Sequence, residues 1–89
     1  MIMLQTYSDC RDFLESILKS LVEYPNDLVV KQDKQDEAVI FLISAKKTDM
    51  GRVVGRNGQI IKALKAVFSA AKSDSLVCDI VLEEDKEDS

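Results

Sequence analysis

The stretch from Thr48 to Ala71 reads TDMGRVVGRNGQIIKALKAVFSAA and contains all three glycines of the chain. Its centre, GRNG at residues 55–58, separates a short apolar pair from a longer segment whose apolar residues recur every three or four positions. That spacing predicts an amphipathic helix from about Gln59 to Lys72. The stretch as a whole therefore predicts a short helix, a four-residue turn and a long helix.

The four-residue turn has features that suit contact with a phosphate backbone. Glycine at each end leaves little side-chain bulk, and Arg56 places a positive charge between them. The helix that follows presents its N-terminal N–H groups to the same region, and these groups favour an anion. Gly55 and Gly58 could instead serve backbone geometry alone, as a helix C-cap and a turn residue. The cations and apolar residues around the turn favour the phosphate-binding hypothesis.

Charge is distributed unevenly along the chain. The 89 residues carry a net charge of −4, which by itself is unfavourable for a nucleic-acid-binding protein. Between Lys46 and Lys72, however, seven lysines and arginines accompany a single carboxylate, Asp49, whereas the other residues carry five cations and fifteen anions. An acidic protein with one basic segment can bind a polyanion there while its other surfaces repel it. The charge pattern therefore favours polyanion binding at the glycine-containing segment.

The sequence before this segment predicts a helix and two strands. Thr6 is a predicted N-cap, with Asp9 three residues later, and an amphipathic helix of four to five turns extends to Tyr24-Pro25. Proline disfavours helical backbone at the residue before it, which ends the helix there. Two apolar segments then predict a hairpin, with strands at 28–32 and 38–45 and a polar turn at 33–37. The second strand is almost continuously apolar, which indicates full coverage or a central position in the sheet.

The sequence from Thr48 onward completes an α-β-β-α-α-β order. Thr48 is a predicted N-cap for a short helix at 49–54, the long helix follows, and alternation over 76–82 predicts a third strand. We predict an α+β fold with one three-stranded sheet and helices packed on one of its faces. Residues 1–82 would form this single domain, and the acidic run 83–89 would be a disordered tail.

Composition disfavours several classes of function. The chain has no histidine, which removes the commonest catalytic dyads, triads and zinc sites, so we predict no enzyme activity, cofactor or metal site. Cys10 and Cys78 are far apart in sequence, so we interpret them as two small buried apolar side chains in a reducing compartment. No apolar run is long enough to span a bilayer, and the N-terminus does not resemble a signal peptide. We therefore expect a cytoplasmic protein without a membrane segment.

Other glycine-containing motifs fit the segment less well. A P-loop would need lysine where Gln59 stands, and the glycine intervals of four and three do not match a dinucleotide-binding fingerprint. A helix-turn-helix protein that binds duplex DNA is an alternative, although the long helix exposes few groups suited to reading bases. A third hypothesis is a protein-interaction adaptor that uses the sheet or the first helix.

Residues 53–61, VVGRNGQII, resemble the [IV]-[IV]-G-x-x-G-x-x-I signature of KH domains. The predicted element order is similar to the type II arrangement of that family. The chain length, the amphipathic first helix and the run from Met50 to Arg56 resemble the small bacterial single-KH proteins of the KhpA (YlqC) family. Asn57, where another polar or basic residue is common, and the acidic tail depart from the family pattern.

The resemblance implies a single-stranded RNA-binding protein, acting as a post-transcriptional regulator or RNA chaperone, whose GXXG turn clamps about four nucleotides. It also implies a second RNA-binding chain, either another copy in a homodimer or a larger Jag/KhpB-type KH protein. Strand residues such as Ile40 or Leu42 would form the far wall of a groove for the bases. The residues expected to contact RNA are Arg52, Val54, Gly55, Arg56, Asn57, Gly58, Ile61, Lys62 and Lys65.

Overall fold

The computed structural model describes residues 3–83 and has the predicted α-β-β-α-α-β order. Short 3-10 turns at Pro25–Asp27, Lys47–Asp49 and Arg56–Gly58 join the main elements. Those elements are α1 (Tyr7–Lys19), β1 (Val29–Gln35), β2 (Ala38–Ser44), α2 (Met50–Val54), α3 (Gln59–Ala71) and β3 (Cys78–Leu82).

The three strands form one mixed sheet in the order β1-β2-β3. β1 and β2 pair as an antiparallel hairpin, and the turn between them places Asp36 at a positive φ of 55°. After β2 the chain forms α2 and α3 and then returns to the sheet as β3. This strand lies parallel to β2, on the side away from β1. The central position of β2 explains its nearly continuous apolar sequence.

One face of the sheet carries the helices, as the sequence predicts. Alternate residues of β2, namely Val39, Phe41 and Ile43, are buried on that face. The rings of Phe41 and Phe68 meet edge to face with their centroids 6.0 Å apart, which joins the sheet to α3. Phe13 of α1 lies 6.4 Å from Phe68 on its other side, so both long helices share this core.

α1 begins where the sequence predicts and ends earlier. Thr6 is its N-cap, because the Asp9 N–H donates to Oγ1 of Thr6 over 3.0 Å. The helix ends at Lys19 rather than at Tyr24-Pro25, so the prediction of four to five turns was wrong. The N–H groups of Glu23 and Tyr24 donate instead to the carboxylate of Asp49, a contact that the local sequence does not reveal.

β1 extends further than its apolar residues indicate. Residues 33–35, predicted to be part of a polar turn, pair with the first residues of β2. Their side chains are exposed, so pairing with the central strand rather than side-chain burial holds this end of β1 in the sheet. At the other end of the sheet, the Glu83 N–H donates to the Ile43 carbonyl over 2.8 Å. The rest of the predicted acidic tail lies outside the described residues.

Candidate nucleic-acid interface

The GRNG turn is a tight loop between α2 and α3 whose backbone uses positive φ angles. Gly55 has a φ of 79°, Asn57 of 57° and Gly58 of 73°. Asparagine tolerates the left-handed region better than most side chains, which suits it to this position. The Gly58 N–H donates to the Gly55 carbonyl over 3.1 Å and closes the loop. The side chains of Arg56 and Asn57 are exposed at its tip.

The two glycines of the loop have different surroundings. A Cβ atom at Gly55 would lie 2.6 Å from Cγ1 of Ile60 and 2.8 Å from its backbone nitrogen. Within the described part of the chain, the nearest atom to a Cβ at Gly58 would be Cε of Lys62, at 4.0 Å. Gly55 is therefore required for the loop to pack on α3, whereas the outer surface at Gly58 is open.

The N-terminus of α3 lies beside this open surface. Among residues 3–83 no side chain caps it, and its first turn contains no acidic residue. The first N–H groups of a helix lack intrahelical acceptors, and the helix dipole makes this end partly positive. The position therefore suits a phosphate group held against Gly58.

A row of lysines continues from the loop along α3. Lys62 and Lys65 are exposed, and neither forms an ion pair within residues 3–83. Lys65 lies at the edge of a cavity of about 220 Å³ between α3 and β3. Lys72 also lines this cavity, and its ammonium donates to the Leu76 carbonyl over 2.9 Å. The cavity is lined by Lys65, Phe68, Ser69, Lys72, Cys78, Asp79 and Ile80.

The prediction of Ile40 or Leu42 as the far wall of a groove for the bases was wrong, because neither side chain faces the helices. In β2 the helix-facing residues are Val39, Phe41 and Ile43, so Ile40 and Leu42 lie on the opposite face of the sheet. Side chains alternate between the two faces of a strand, and a central strand is covered by the core on its helix side. Residues of β3, not of β2, line the cavity beside α3.

Val54 and Ile61 flank the loop on its two helices. Both are half-buried, and Ile61 packs against the hydrophobic core. Val53, the residue before Val54, has no exposed surface. The apolar pair before the loop thus divides into one core residue and one residue at the surface of the loop, and the role of Val54 and Ile61 in contacting bases stays a prediction.

Arg52 is held by acidic residues of the protein itself. Its Nη1 donates to Oδ1 of Asp49 over 3.1 Å and lies 3.7 Å from Oε1 of Glu23. Half of the side chain is exposed, so the guanidinium neutralises these carboxylates at the edge of the site. Its predicted contact with RNA stays a prediction, and the geometry favours a role in holding α2 in place.

Asp49 is the one buried charged residue among those described, and no role is predicted for it from the sequence. Its carboxylate accepts from the N–H groups of Glu23 and Tyr24 over 3.0 and 2.9 Å. Burial opposes ionisation, but these two bonds and the Arg52 guanidinium hold the pKa of Asp49 below its usual range. Asp49 thereby ties the segment after α1 to the start of α2, and the predicted N-cap Thr48 lies in a 3-10 turn instead.

The element order, the mixed sheet and the exposed GXXG loop between α2 and α3 together define a type II KH domain. The sequence model of the KhpA/KhpB KH domain matches residues 11–82. The chain therefore belongs to the KhpA/KhpB family of KH domains.

Relatives with a curated description are similar over most of their length. The protein described as RNA-binding protein KhpA in Oceanobacillus iheyensis is 38% identical over 61 residues, which are 68% of this chain and 81% of the relative. The protein of the same description in Thermotoga maritima is 34% identical over 65 residues, 73% of this chain and 87% of the relative. The protein of this description in Chlamydia caviae is 30% identical over 77 residues, which are 85% of this chain and 99% of the relative. All three are described as RNA-binding proteins.

Proposed function

We propose that this protein binds single-stranded RNA on the GRNG loop and acts as a post-transcriptional regulator or RNA chaperone. The observation that carries the proposal is the open surface at Gly58, beside a helix N-terminus that no side chain of residues 3–83 caps, on a chain whose other segments are acidic. The relatives described as RNA-binding proteins support it. Among residues 3–83 no helix is long and apolar enough to cross a membrane. We also propose that it acts in the cytoplasm, where a post-transcriptional regulator would meet its RNA.

The roles of the side chains follow from their positions. One RNA phosphate lies against Gly58 and the first N–H groups of α3, and Arg56 neutralises its charge. Asn57 donates to phosphate or sugar from the tip of the loop. Lys62 and Lys65 attract the backbone that continues along α3. Such phosphate contacts position the strand without reading its sequence.

The double variant Arg56→Asp with Asn57→Asp tests the site. Both side chains are exposed, so the fold is expected to survive while binding of a fluorescently labelled single-stranded RNA is lost. A matched control is Lys31→Asp with Gln32→Asp, which changes the same charge on the exposed strand β1. Circular dichroism verifies the fold of each variant. Unchanged RNA affinity in the loop variant would exclude the loop as the site.

Competition between nucleic acids separates this proposal from duplex-DNA binding. Unlabelled single-stranded RNA is expected to displace the labelled RNA at a lower concentration than duplex DNA of the same length. The exposed face of α3 offers few groups suited to reading base edges, mainly Gln59, Lys62 and Lys65. A preference for duplex DNA would overturn the proposal.

We also propose that the protein works as a dimer, either with a second copy or with a KhpB-type KH protein. A single GXXG site binds few nucleotides, so a second chain raises the effective concentration of RNA-binding surface. The support is an apolar groove on the helices beside the loop, where Val67 is 52% exposed and Leu21 36% exposed. The groove is lined by Ile17, Leu21, Gln59, Ile60, Ala63, Leu64 and Val67.

Sedimentation equilibrium tests the dimer. We expect the wild-type mass to rise with concentration toward twice the monomer mass, and Val67→Asp to keep the monomer mass because it buries a charge in the interface. Val77→Asp is the matched control, because Val77 is equally exposed outside this groove. Monomeric wild-type protein at high concentration, alone and with a KhpB-type KH protein, would contradict the proposal.

A further inference from the structure

The outer face of the sheet, the face away from the helices, carries an apolar strip. Ile40 and Leu42 alternate with the helix-facing residues of β2, so their side chains lie on the outer face. Both are half-buried, and neither packs against the hydrophobic core. Val81 of β3 is in register with Leu42 and is 40% exposed. A sheet face in contact with solvent usually carries polar side chains, so this strip is suited to a partner.

Two carboxylates mark the margins of the strip. Ile40 is in register with Asp33 of β1 on one side and with Asp79 of β3 on the other, so the three residues form one row across the sheet. Oδ2 of Asp33 accepts from Nε2 of Gln35 over 3.0 Å, and Oδ1 of Asp79 accepts from the Ile80 N–H over 2.8 Å. Both carboxylates are exposed, and neither forms an ion pair within residues 3–83. They can therefore pair with cations of a partner.

The dimensions of the strip match those of an α-helix. Neighbouring strands lie about 4.8 Å apart, so the backbones at Asp33 and Asp79 are separated by about 10 Å. A helix with its side chains is about 10–12 Å wide. A helix laid along β2 would thus cover Ile40 and Leu42 and have one carboxylate at each side. The seven residues of β2 span about 23 Å, the length of about 15 helical residues.

Charge and composition disfavour other occupants of the outer face. The carboxylates repel a phosphate backbone, and the single aromatic residue of the three strands, Phe41, is buried on the helix side, so no ring is available for stacking on bases. Lys31, beside Leu42, is the one cation that the three strands place on this face. A second copy of the chain would bring the same carboxylates against each other, and like charges in an interface oppose binding.

We propose that the outer face binds an amphipathic helix of another protein, with apolar residues along one stripe and lysine or arginine on both margins. The apolar stripe would cover Ile40, Leu42 and Val81, and the cations would pair with Asp33 and Asp79. The helices that hold the GRNG loop pack on the opposite face of the sheet, so one molecule can hold RNA and this partner together. That last consequence rests on the proposed function, whereas the docking of a helix does not.

A labelled, helix-stabilised peptide of about 15 residues, with leucines on one stripe and lysines on both margins, tests the proposal. Its fluorescence anisotropy is expected to rise on titration with the protein. A second peptide, with glutamates in place of the lysines, is expected to bind at least about tenfold more weakly. Amide NMR signals are expected to shift in β2 and β3. Binding of neither peptide, equal binding of both, or shifts confined to the helices would each overturn the proposal.

Charge exchange tests the margins. Asp33→Lys with Asp79→Lys is expected to reverse the preference, so that the glutamate peptide binds more tightly than the lysine peptide. Asp12→Lys with Asp74→Lys makes the same change of charge at exposed positions outside the sheet, and it is expected to keep the original preference. Reversal in both variants would mean that only the net charge matters, and reversal in neither would refute the pairing. Circular dichroism verifies each fold, and the NMR map of the wild type decides if the first variant does not fold.

A second pair of variants tests the apolar strip. Val81→Asn is expected to weaken binding of the lysine peptide at least about threefold, because it places a polar group in the apolar contact. Val67→Asn makes the same change in the groove on the helices, where the exposed fraction is 52%, and is expected to bind the peptide like the wild type. Loss of binding in the Val67 variant alone would place the peptide in that groove and overturn the proposal.

Unlabelled single-stranded RNA tests whether the two sides of the sheet act independently. The anisotropy of the bound lysine peptide is expected to stay unchanged as RNA is added. Displacement of the peptide would mean that it occupies the RNA site, which would overturn the proposal. If the protein alone does not bind RNA, the proposed function is refuted, and the peptide measurements still decide on the outer face.

Discussion

Ile60 approaches Gly55 so closely that a Cβ atom on the glycine would lie 2.6 Å from Cγ1 of the isoleucine. The first turn of α3 therefore packs directly on the backbone where α2 ends. This contact fixes the angle at which the two helices enter the loop, and with it the direction in which the loop faces solvent. Gly58, by contrast, has open space on its outer side. One glycine thus builds the loop and the other leaves room for a ligand.

The first prediction concerns stability at the two glycines. Gly55→Ala adds a methyl group against Ile60 at a φ of 79°, so it is expected to lower the free energy of unfolding by about 2–4 kcal/mol. Gly58→Ala meets only the strain of a positive φ and is expected to cost roughly 1–2 kcal/mol. Urea denaturation followed by circular dichroism measures both. Equal losses at the two positions would show that contact with Ile60 is unimportant.

The second prediction separates the two arginines. Arg56→Gln is expected to weaken RNA binding by roughly threefold to tenfold and to leave the denaturation midpoint unchanged, because the exposed side chain contacts solvent. Arg52→Gln is expected to lower the midpoint and change RNA affinity less, because it removes the partner of Asp49 and Glu23. Urea denaturation gives the midpoint of each variant, and RNA titration gives its affinity for RNA. The reverse pattern would make Arg52 the RNA-binding arginine.

The third prediction concerns salt dependence. Each phosphate neutralised on a single strand contributes about 0.7 to the slope of log affinity against log salt concentration. Lys62→Gln with Lys65→Gln is therefore expected to reduce that slope by roughly 1.4. Lys31→Gln with Lys34→Gln, on the exposed strand β1, is the matched control and should leave the slope unchanged. A similar loss of slope in both variants would indicate diffuse attraction rather than contacts along α3.

The fourth prediction concerns acid stability. In the unfolded chain Asp49 has a pKa of about 3.9, and in the fold its pKa is lower because of the Glu23 and Tyr24 N–H groups and Arg52. The unfolded state therefore binds more protons as the pH falls, so the stabilisation by Asp49 is complete above its unfolded pKa and is lost at lower pH. Asp49→Asn is expected to lower stability near neutral pH and to flatten its decline below about pH 4.

Urea denaturation at a series of pH values measures this dependence. The difference in free energy of unfolding between wild type and Asp49→Asn is expected to shrink on acidification. A constant difference across the series would mean that ionisation of Asp49 contributes nothing to the fold. Faster amide exchange at Glu23 and Tyr24 in the variant would support the role of the carboxylate, because it would show that these N–H groups have lost their acceptor and that the chain after Lys19 is no longer held.

Local sequence was informative where short-range forces decide the structure. The N-cap at Thr6, the start of α3 at Gln59 and the central strand β2 follow from capping, glycine spacing and apolar runs, and all three predictions are confirmed. The family resemblance rested on the signature at residues 53–61, the neighbouring run from Met50 and the predicted element order, and it is confirmed by the match over residues 11–82. These features depend on neighbours within a few positions, so a single sequence contains them.

For features that depend on distant residues, the predictions from the sequence were missing or wrong. α1 was predicted to reach Tyr24-Pro25, because the apolar pattern continues to Val22 and nothing nearby indicates that Asp49 binds the amides of Glu23 and Tyr24. Ile40 and Leu42 were predicted as the far wall of the groove for the bases, because the nearly continuous apolar sequence of β2 does not tell which of its faces the helices cover.

The sequence by itself determined the GXXG loop, the helix that follows it and the basic segment around both, since turn chemistry, helical periodicity and charge are properties of neighbouring residues. Only the tertiary structure decided that Gly58 is open while Gly55 is packed, that β3 borders the cavity beside α3 and that Asp49 anchors α2. Each of these depends on which elements lie side by side after the chain has closed loops of many residues. That arrangement is set by burial of the shared core around Phe41 and Phe68, not by any single segment.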